Sequence, residues 1–181
     1  MKSSLVVSAT VVLVAVAAVS TAARGVAGPA RPSSPRETAL LRLPPATPAG
    51  QTTVFGHIKS LVRQGGRYEM RFDPALLLHG ATAEQAALED TGSSDVPNDY
   101  YVLDESHRLL TYVVARNAKA TILTRGPKTT TVSVAELAQL LKGKNPQRRP
   151  LFGRPKDFGF WIRVGQMYPN PVLSLDEQYQ P

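Results

Sequence analysis

The chain has 181 residues, a formal net charge of +7 and no cysteine. Because it has no thiol, disulfides, thiolate catalysis and cysteine-based zinc or iron–sulfur sites are excluded. Hydrophobic residues make up 43% of the sequence, so one apolar core can hold a domain together without cross-links.

The first 27 residues have the pattern of an export signal. Lys2 is followed by an apolar run from Leu5 to Val19, and small residues continue to Ala23. The run is about 15 residues long, which suits a signal peptide better than a spanning helix of roughly 20 residues. We therefore expect the protein to be secreted after cleavage, or to stay anchored to the outer face of the cytoplasmic membrane.

Residues 28–53 are predicted to form a linker, and residues 54–181 a single β-rich domain. Proline-rich chain favours an extended, semi-rigid spacer because proline fixes φ and lacks a backbone donor. The prolines of this region are Pro29, Pro32, Pro35, Pro44, Pro45 and Pro48.

The domain opens with a predicted hairpin. Val54–Val62 is rich in strand-forming residues, and Gly65-Gly66 marks a turn because paired glycines accept positive φ. From Arg67 to Asp73 apolar and polar residues alternate, which is the pattern of a half-buried strand.

Two short helices are predicted from capping boxes, in which a Ser or Thr and a Glu or Gln three residues later satisfy exposed backbone donors. Thr82 with Gln85 predicts the first helix, and Ser133 with Glu136 predicts the second. Gly143 is a natural C-terminal cap for the second helix.

Further strand patterns predict a small α+β fold. Most connections are short, which favours antiparallel pairing. We expect a strongly bent antiparallel sheet or a partly closed, OB-like barrel with two short helices. The remaining strands are predicted at residues 100–103, 109–115, 119–124, 129–132, 158–164 and 172–179.

A cluster of acidic and aromatic residues lies around the start of the strand at residue 100. Asn and Asp there favour a turn, and the alternative is a ligand-binding role together with the neighbouring tyrosines. Trp161 is expected to pack under the second helix or to form an exposed platform for a sugar or peptide. The ligand-binding candidates are Asp73, Asn98, Asp99, Tyr100, Tyr101, Asp104 and Glu177.

Residues 142–156 carry six basic and no acidic residue, and residues 1–53 carry five basic and one acidic residue. The rest of the chain, with ten basic and thirteen acidic residues, is mildly acidic. The basic segment is either a solvated loop or a contact surface for anionic lipid head groups or an anionic cell-wall polymer. Nucleic acid is an unexpected partner for an exported protein. The contact candidates are Lys142, Lys144, Arg148, Arg149, Arg154 and Lys156.

The sequence contains no catalytic signature. Neither G-x-S-x-G nor S-x-x-K occurs, and His57, His79 and His107 are too far apart in sequence for a helical metal-binding pair. We therefore assign no catalytic residue, no metal site and no cofactor. Paired carboxylates could still serve a hydrolase, with Asp99 and Asp104 as the central candidates.

An ordered set of short motifs resembles a group of exported, often lipid-attached bacterial proteins of unknown function. The motifs are Phe72-Asp73-Pro74, Asn98-Asp99-Tyr100-Tyr101-Val102, Phe160-Trp161-Ile162-Arg163-Val164 and the ending Glu177-Gln178-Tyr179-x-Pro181. The resemblance implies export and one compact domain with no assigned activity. The chain departs from the group in lacking a lipid-attachment cysteine and in carrying the basic, proline-containing stretch 146–156.

These observations favour an exported, non-enzymatic domain that binds an envelope component or another protein. The alternatives are a carboxylate-dependent hydrolase and a structural accessory subunit.

Overall fold

The computed structural model describes residues 45–104, 108–125 and 127–180. Every described residue belongs to one compact unit of the chain. The predicted leader and most of the predicted linker lie outside the described residues. The first strand begins at Gln51, three residues before the predicted start of the domain.

Eight strands and two α-helices follow one another in the described part of the chain. They are β1 (Gln51–Gln64), β2 (Arg67–Pro74), β3 (Leu76–His79), α1 (Gly80–Thr91), β4 (Tyr100–Leu103), β5 (Leu110–Thr124), β6 (Lys128–Val132), α2 (Val134–Leu140), β7 (Phe160–Gly165) and β8 (Val172–Glu177).

Five strands close into a barrel in the order β1-β2-β5-β8-β7, with β7 returning to β1. All pairs are antiparallel except β5 with β8, which is parallel. β6 extends β5 at the outside, and β3 and β4 form a separate two-stranded sheet next to α1. This is an α+β fold with an OB-like barrel, as the sequence predicts.

The barrel interior is filled by the inward residues of alternating strands. Phe160, Ile162 and Val164 of β7 are buried while Trp161 and Arg163 face outward, as a period of two requires. α2 adds Leu137 and Leu140 to the same core, so the helix stabilises the barrel through apolar contact. The largest fully buried side chains also include Phe72, Leu61, Met70, Ile122, Leu123 and Leu175.

Gly56 allows β1 and β2 to approach closely. A Cβ atom at this position would lie 2.1 Å from the carbonyl oxygen of Asp73. Because such a distance is a severe overlap, no other residue fits here without backbone movement.

The structure corrects two of the predicted elements and confirms the Ser133 cap. The two strands predicted at 109–115 and 119–124 are one continuous strand, β5. α1 begins at Gly80, so Thr82 does not cap it; the Thr82 hydroxyl donates to the carbonyl of His79 instead. Ser133 does cap α2, since its hydroxyl accepts from the backbone N–H of Glu136 at 3.1 Å.

None of the described helices is both long and apolar enough to cross a membrane.

Candidate functional site

Four of the predicted ligand-binding residues lie together at the start of β4. Asn98 and Asp99 have φ of +61° and +60° in a short 3-10 turn, a conformation that Asn and Asp tolerate well. The hydroxyl of Tyr101 donates to the carboxylate of Asp90, which raises the pKa of the tyrosine. This hydrogen bond links β4, which carries Tyr101, to α1, which carries Asp90. Burial raises the pKa of Tyr100, the first residue of β4.

Asp73 and Asp104 lie near His57 on one side of the barrel. Asp73 is buried and forms an ion pair with Lys59 at 2.8 Å. The pKa of His57 is lowered by burial and by the charge of Lys59, against the opposing effect of the two carboxylates. Within the described ranges, no group of three or more His, Asp or Glu side chains is arranged to hold a metal ion.

The carboxylates of Asp99 and Asp104 are separated by the whole of β4. Asp99 precedes the strand and Asp104 follows it, so strand geometry places their Cα atoms roughly 16 Å apart. The two carboxyl groups of a glycosidase lie roughly 5–9.5 Å apart. This pair therefore lacks the spacing that such chemistry requires.

Glu177 is placed away from the surface. It pairs with the buried Phe160 across β7 and β8 and is 2% exposed. Burial raises the pKa of Glu177 to about 7, although one carboxylate oxygen accepts from the backbone N–H of Leu123 at 2.6 Å. The side chain is thus held inside the barrel wall.

The basic segment 142–156 is partly neutralised. Arg149 donates to both carboxylate oxygens of the buried Glu136, at 2.5 and 3.1 Å, and Arg154 pairs with Asp157 at 2.6 Å. The Arg149 pair joins the segment to α2, whereas the exposed Arg154 pair is local, since its partner lies three residues further along the chain. The remaining four side chains are exposed, and no carboxylate of the described chain pairs with them: Lys142, Lys144, Arg148 and Lys156.

A second basic surface, not predicted from sequence, lies at the turn of the β1–β2 hairpin. Arg63 and Arg67 flank this turn, and Arg116 reaches the same cavity from β5. Gly65 and Gly66 have φ of +52° and +83°, so a two-residue turn can bring the two flanking arginines to one end of the hairpin. We call this the arginine cavity.

The arginine cavity has a volume of about 350 Å³. Tyr68 and Val114 line it from the barrel, and Ser133 and Val134 line it from the start of α2. No carboxylate is among the described side chains that line it, and none of the three arginines is in an ion pair with a described residue.

Three arginines line the cavity, and a guanidinium group that enters it would favour an anion. Each guanidinium has five donors in a planar fork, which matches the oxygens of a carboxylate or phosphate. Mutual repulsion of like charges is relieved when such an anion binds. The cavity is therefore suited to hold a carboxylate or phosphate group.

An exposed apolar loop lies near the arginine cavity. Val114, which lines the cavity, pairs with Tyr68 on one side and with Val172 on the other. The loop between β7 and β8 ends at Val172 and carries Met167 and Tyr168, which are 84% and 96% exposed. The hairpin turn and this loop thus border the same part of β5.

The arginine cavity could not be predicted from the sequence, because its arginines are far apart in a part of the chain where acidic residues outnumber basic ones. Arg116 is 49 positions after Arg67 in the sequence, and only the pairing of β2 with β5 brings them together. The one local signal was the pair of arginines flanking Gly65-Gly66, because a tight hairpin turn keeps such neighbours at one end.

Comparison with protein-family models, curated proteins and solved structures finds no match to this chain.

Proposed function

We propose that this protein is an exported, non-enzymatic binding domain whose ligand is an anionic polymer of the cell envelope. The arginine cavity is its binding site. The observation that carries the proposal is the convergence of Arg63, Arg67 and Arg116 on one cavity that no described carboxylate lines.

The position of the cavity supports an extended ligand. OB-fold barrels bind oligonucleotides and oligosaccharides on the face flanked by the loop after the first barrel strand and the loop between the last two. In this chain those loops are the β1–β2 turn and the β7–β8 loop, and both border β5. A polymer that follows this face would place an acidic group among the arginines and could contact the exposed Tyr168.

The leader supports an envelope polymer over nucleic acid as the ligand. If residues 1–27 direct export, the domain works outside the cytoplasmic membrane, where cell-wall polymers carry phosphate or carboxylate groups. The proline-rich linker would then hold or release the domain at the outer face of the membrane. N-terminal sequencing of the exported protein tests this step, and a full-length, soluble intracellular chain with its leader intact would contradict it.

Binding is tested with soluble poly(glycerol phosphate), with neutral dextran as a control polymer. We expect binding to the phosphate polymer that weakens steeply between low and high salt, because the contacts are ionic. The triple variant R63Q/R67Q/R116Q should lose about tenfold or more in affinity, since hydrogen bonds to charged groups contribute about 1.5–3 kcal/mol each.

A matched control comes from the basic segment. K142Q/K144Q/R148Q also removes three positive charges, so both variants have the same net charge. The proposal expects this control to keep most of the affinity. It is contradicted if the control loses binding while the arginine variant keeps it, or if the protein binds only vesicles of phosphatidylglycerol and not the polymer.

A further inference from the structure

A second cleft lies on the outer wall of the barrel, away from the arginine cavity. Trp161 and Arg163 of β7 form one part of it, and Asp176, Glu177 and Gln178 form another at the end of β8. Pro45 and Ala46, just before β1, provide the facing wall, and the cleft has a volume of about 380 Å³. None of the described residues lines both this cleft and the arginine cavity.

The polar groups of this cleft are fixed by hydrogen bonds before any ligand binds. Arg163 donates through Nε to the hydroxyl of Ser174 at 2.6 Å, and that hydroxyl donates to Asp176 at 3.1 Å. The second carboxylate oxygen of Asp176 accepts from Thr121 at 2.6 Å. Ser174 is fully buried, so this network holds the carboxylate against the barrel wall.

Arg163 and Asp176 are joined through Ser174 and do not form an ion pair with each other. The hydrogen bond from Arg163 to Ser174 uses Nε, and a guanidinium has four further N–H donors. Each carboxylate oxygen also has a second lone pair. The cleft therefore presents donors and acceptors side by side at fixed positions.

Trp161 provides an aromatic surface whose orientation is also fixed. Its ring packs against Phe55 with centroids 5.1 Å apart, and its N–H donates to the side-chain oxygen of Gln178 at 2.9 Å. Gln178 is fully buried and donates in turn to the carbonyl of Tyr179. Trp161 itself is only partly buried, so part of the ring remains to face the cleft.

We infer that this cleft binds a neutral sugar ring. A pyranose has an apolar face that packs on an aromatic ring and hydroxyl groups that both donate and accept hydrogen bonds. Trp161 supplies the ring, Asp176 the acceptor and Arg163 the donor. A polyanion is disfavoured because Asp176 would repel it, and a purely apolar ligand would leave the fixed polar groups without partners.

The single tryptophan of the chain makes sugar binding directly measurable. We would titrate the full-length protein with cellotetraose and with tetra-N-acetylchitotetraose and record tryptophan fluorescence. A saturable change with a Kd below about 1 mM for either sugar is expected. The affinity should change little with salt, unlike that of the arginine cavity for its anion.

Single substitutions test whether these side chains hold the sugar. D176N keeps the size of the side chain but loses its charge, and R163Q loses the guanidinium; each should weaken sugar binding about tenfold while thermal unfolding confirms a folded protein. D95N, at an exposed aspartate before β4, should bind like the wild type. R63Q/R67Q/R116Q should also bind the sugar normally, so failure of the proposed function would leave this result intact.

Three outcomes would overturn the inference. The first is the absence of a saturable change in tryptophan fluorescence with either sugar up to about 10 mM, because a Kd above that concentration corresponds to less than about 3 kcal/mol of binding free energy. The second is unchanged affinity in both folded D176N and folded R163Q. The third is an equal response in W161F measured by calorimetry, because the aromatic surface would then not contribute.

Discussion

Replacing Glu177 by Gln should remove a pH-dependent loss of stability. The Glu177 carboxyl is 2% exposed and faces the barrel interior opposite Phe160. Burial raises its pKa to about 7 from 4.5, because a carboxylate is poorly solvated there. Folding therefore favours the protonated form. A glutamine keeps the shape and can still accept from the N–H of Leu123, but it has no charge to bury.

Proton linkage sets the direction and size of the effect. Below pH 4.5 the carboxyl is protonated in both states and adds no pH dependence. As the pH rises from 4.5 to 7, the unfolded chain loses this proton while the folded one keeps it, so folding stability falls. Above pH 7 both states are ionised and the loss is complete. At about 1.4 kcal/mol for each pH unit, the total loss is about 3 kcal/mol.

Denaturant unfolding, followed by tryptophan fluorescence at pH 4.5 and pH 8, measures this effect. The free energy of unfolding of E177Q minus that of the wild type should increase by about 3 kcal/mol from pH 4.5 to pH 8, because only the wild type loses stability over this range. E84Q, at an exposed glutamate of α1, is the matched control and should show little change. If the free energies of unfolding of E177Q and the wild type differ by the same amount at both pH values, burial of the ionised Glu177 carboxylate does not destabilise the fold and the reasoning is refuted.

Two further predictions concern local packing and capping. G56A should lower the free energy of unfolding by about 2–4 kcal/mol in urea denaturation, because its Cβ would lie 2.1 Å from the Asp73 carbonyl oxygen. G165A is the control, since a Cβ at that position would lie 3.6 Å from the nearest atom. Equal losses of stability in the two variants would contradict a role for the close approach of β1 and β2. S133A should lower the free energy of unfolding by about 1 kcal/mol in the same measurement, through loss of the α2 cap. T82A should have a smaller effect, since Thr82 does not cap α1. A larger loss in T82A than in S133A would show that the cap assignment is wrong.

The hairpin and α2 were predictable because local chemistry specifies them. Alternation from Arg67 to Asp73 identifies β2, and Gly65-Gly66 supplies the turn that joins it to β1. Ser133 fixes the start of α2 through a bond within one turn of chain. These signals act over a few residues, and tertiary contacts reinforce them here.

The predictions for β5 and α1 were wrong in detail because tertiary contact overrides the local signal. Asn117 suggests a turn between two strands, yet β5 continues through it. β2 pairs with the part of β5 before Asn117 and β6 with the part after it, while β8 pairs on both sides with an irregularity between Val114 and Lys119. Thr82 and Gln85 match a capping box, but Leu76–His79 pairs with β4 as a strand and α1 begins directly after it, at Gly80.

The candidate sites follow the same division. Sequence identified Asp73, Asp104 and Glu177 as unusual acids, but their surroundings depend on strand register, which buries Glu177 inside the barrel and sets Asp73 against Lys59. The role of Arg149 also changes from a free surface charge to the partner of Glu136. Charge counting finds clusters only where they are contiguous in the chain.

The amino-acid sequence is enough to exclude thiol chemistry and to predict the α+β class, the hairpin and the cap of α2, because composition and short-range hydrogen bonding fix these properties. Closure of the barrel through the parallel pairing of β5 with β8 became visible only in the folded chain. The pairing of β5 with β2 brings Arg116 to the β1–β2 turn, and its pairing with β8 brings Thr121 to Asp176. Contacts of this kind join residues far apart in sequence, and they depend on which distant strands pair with one another, which short-range patterns do not specify.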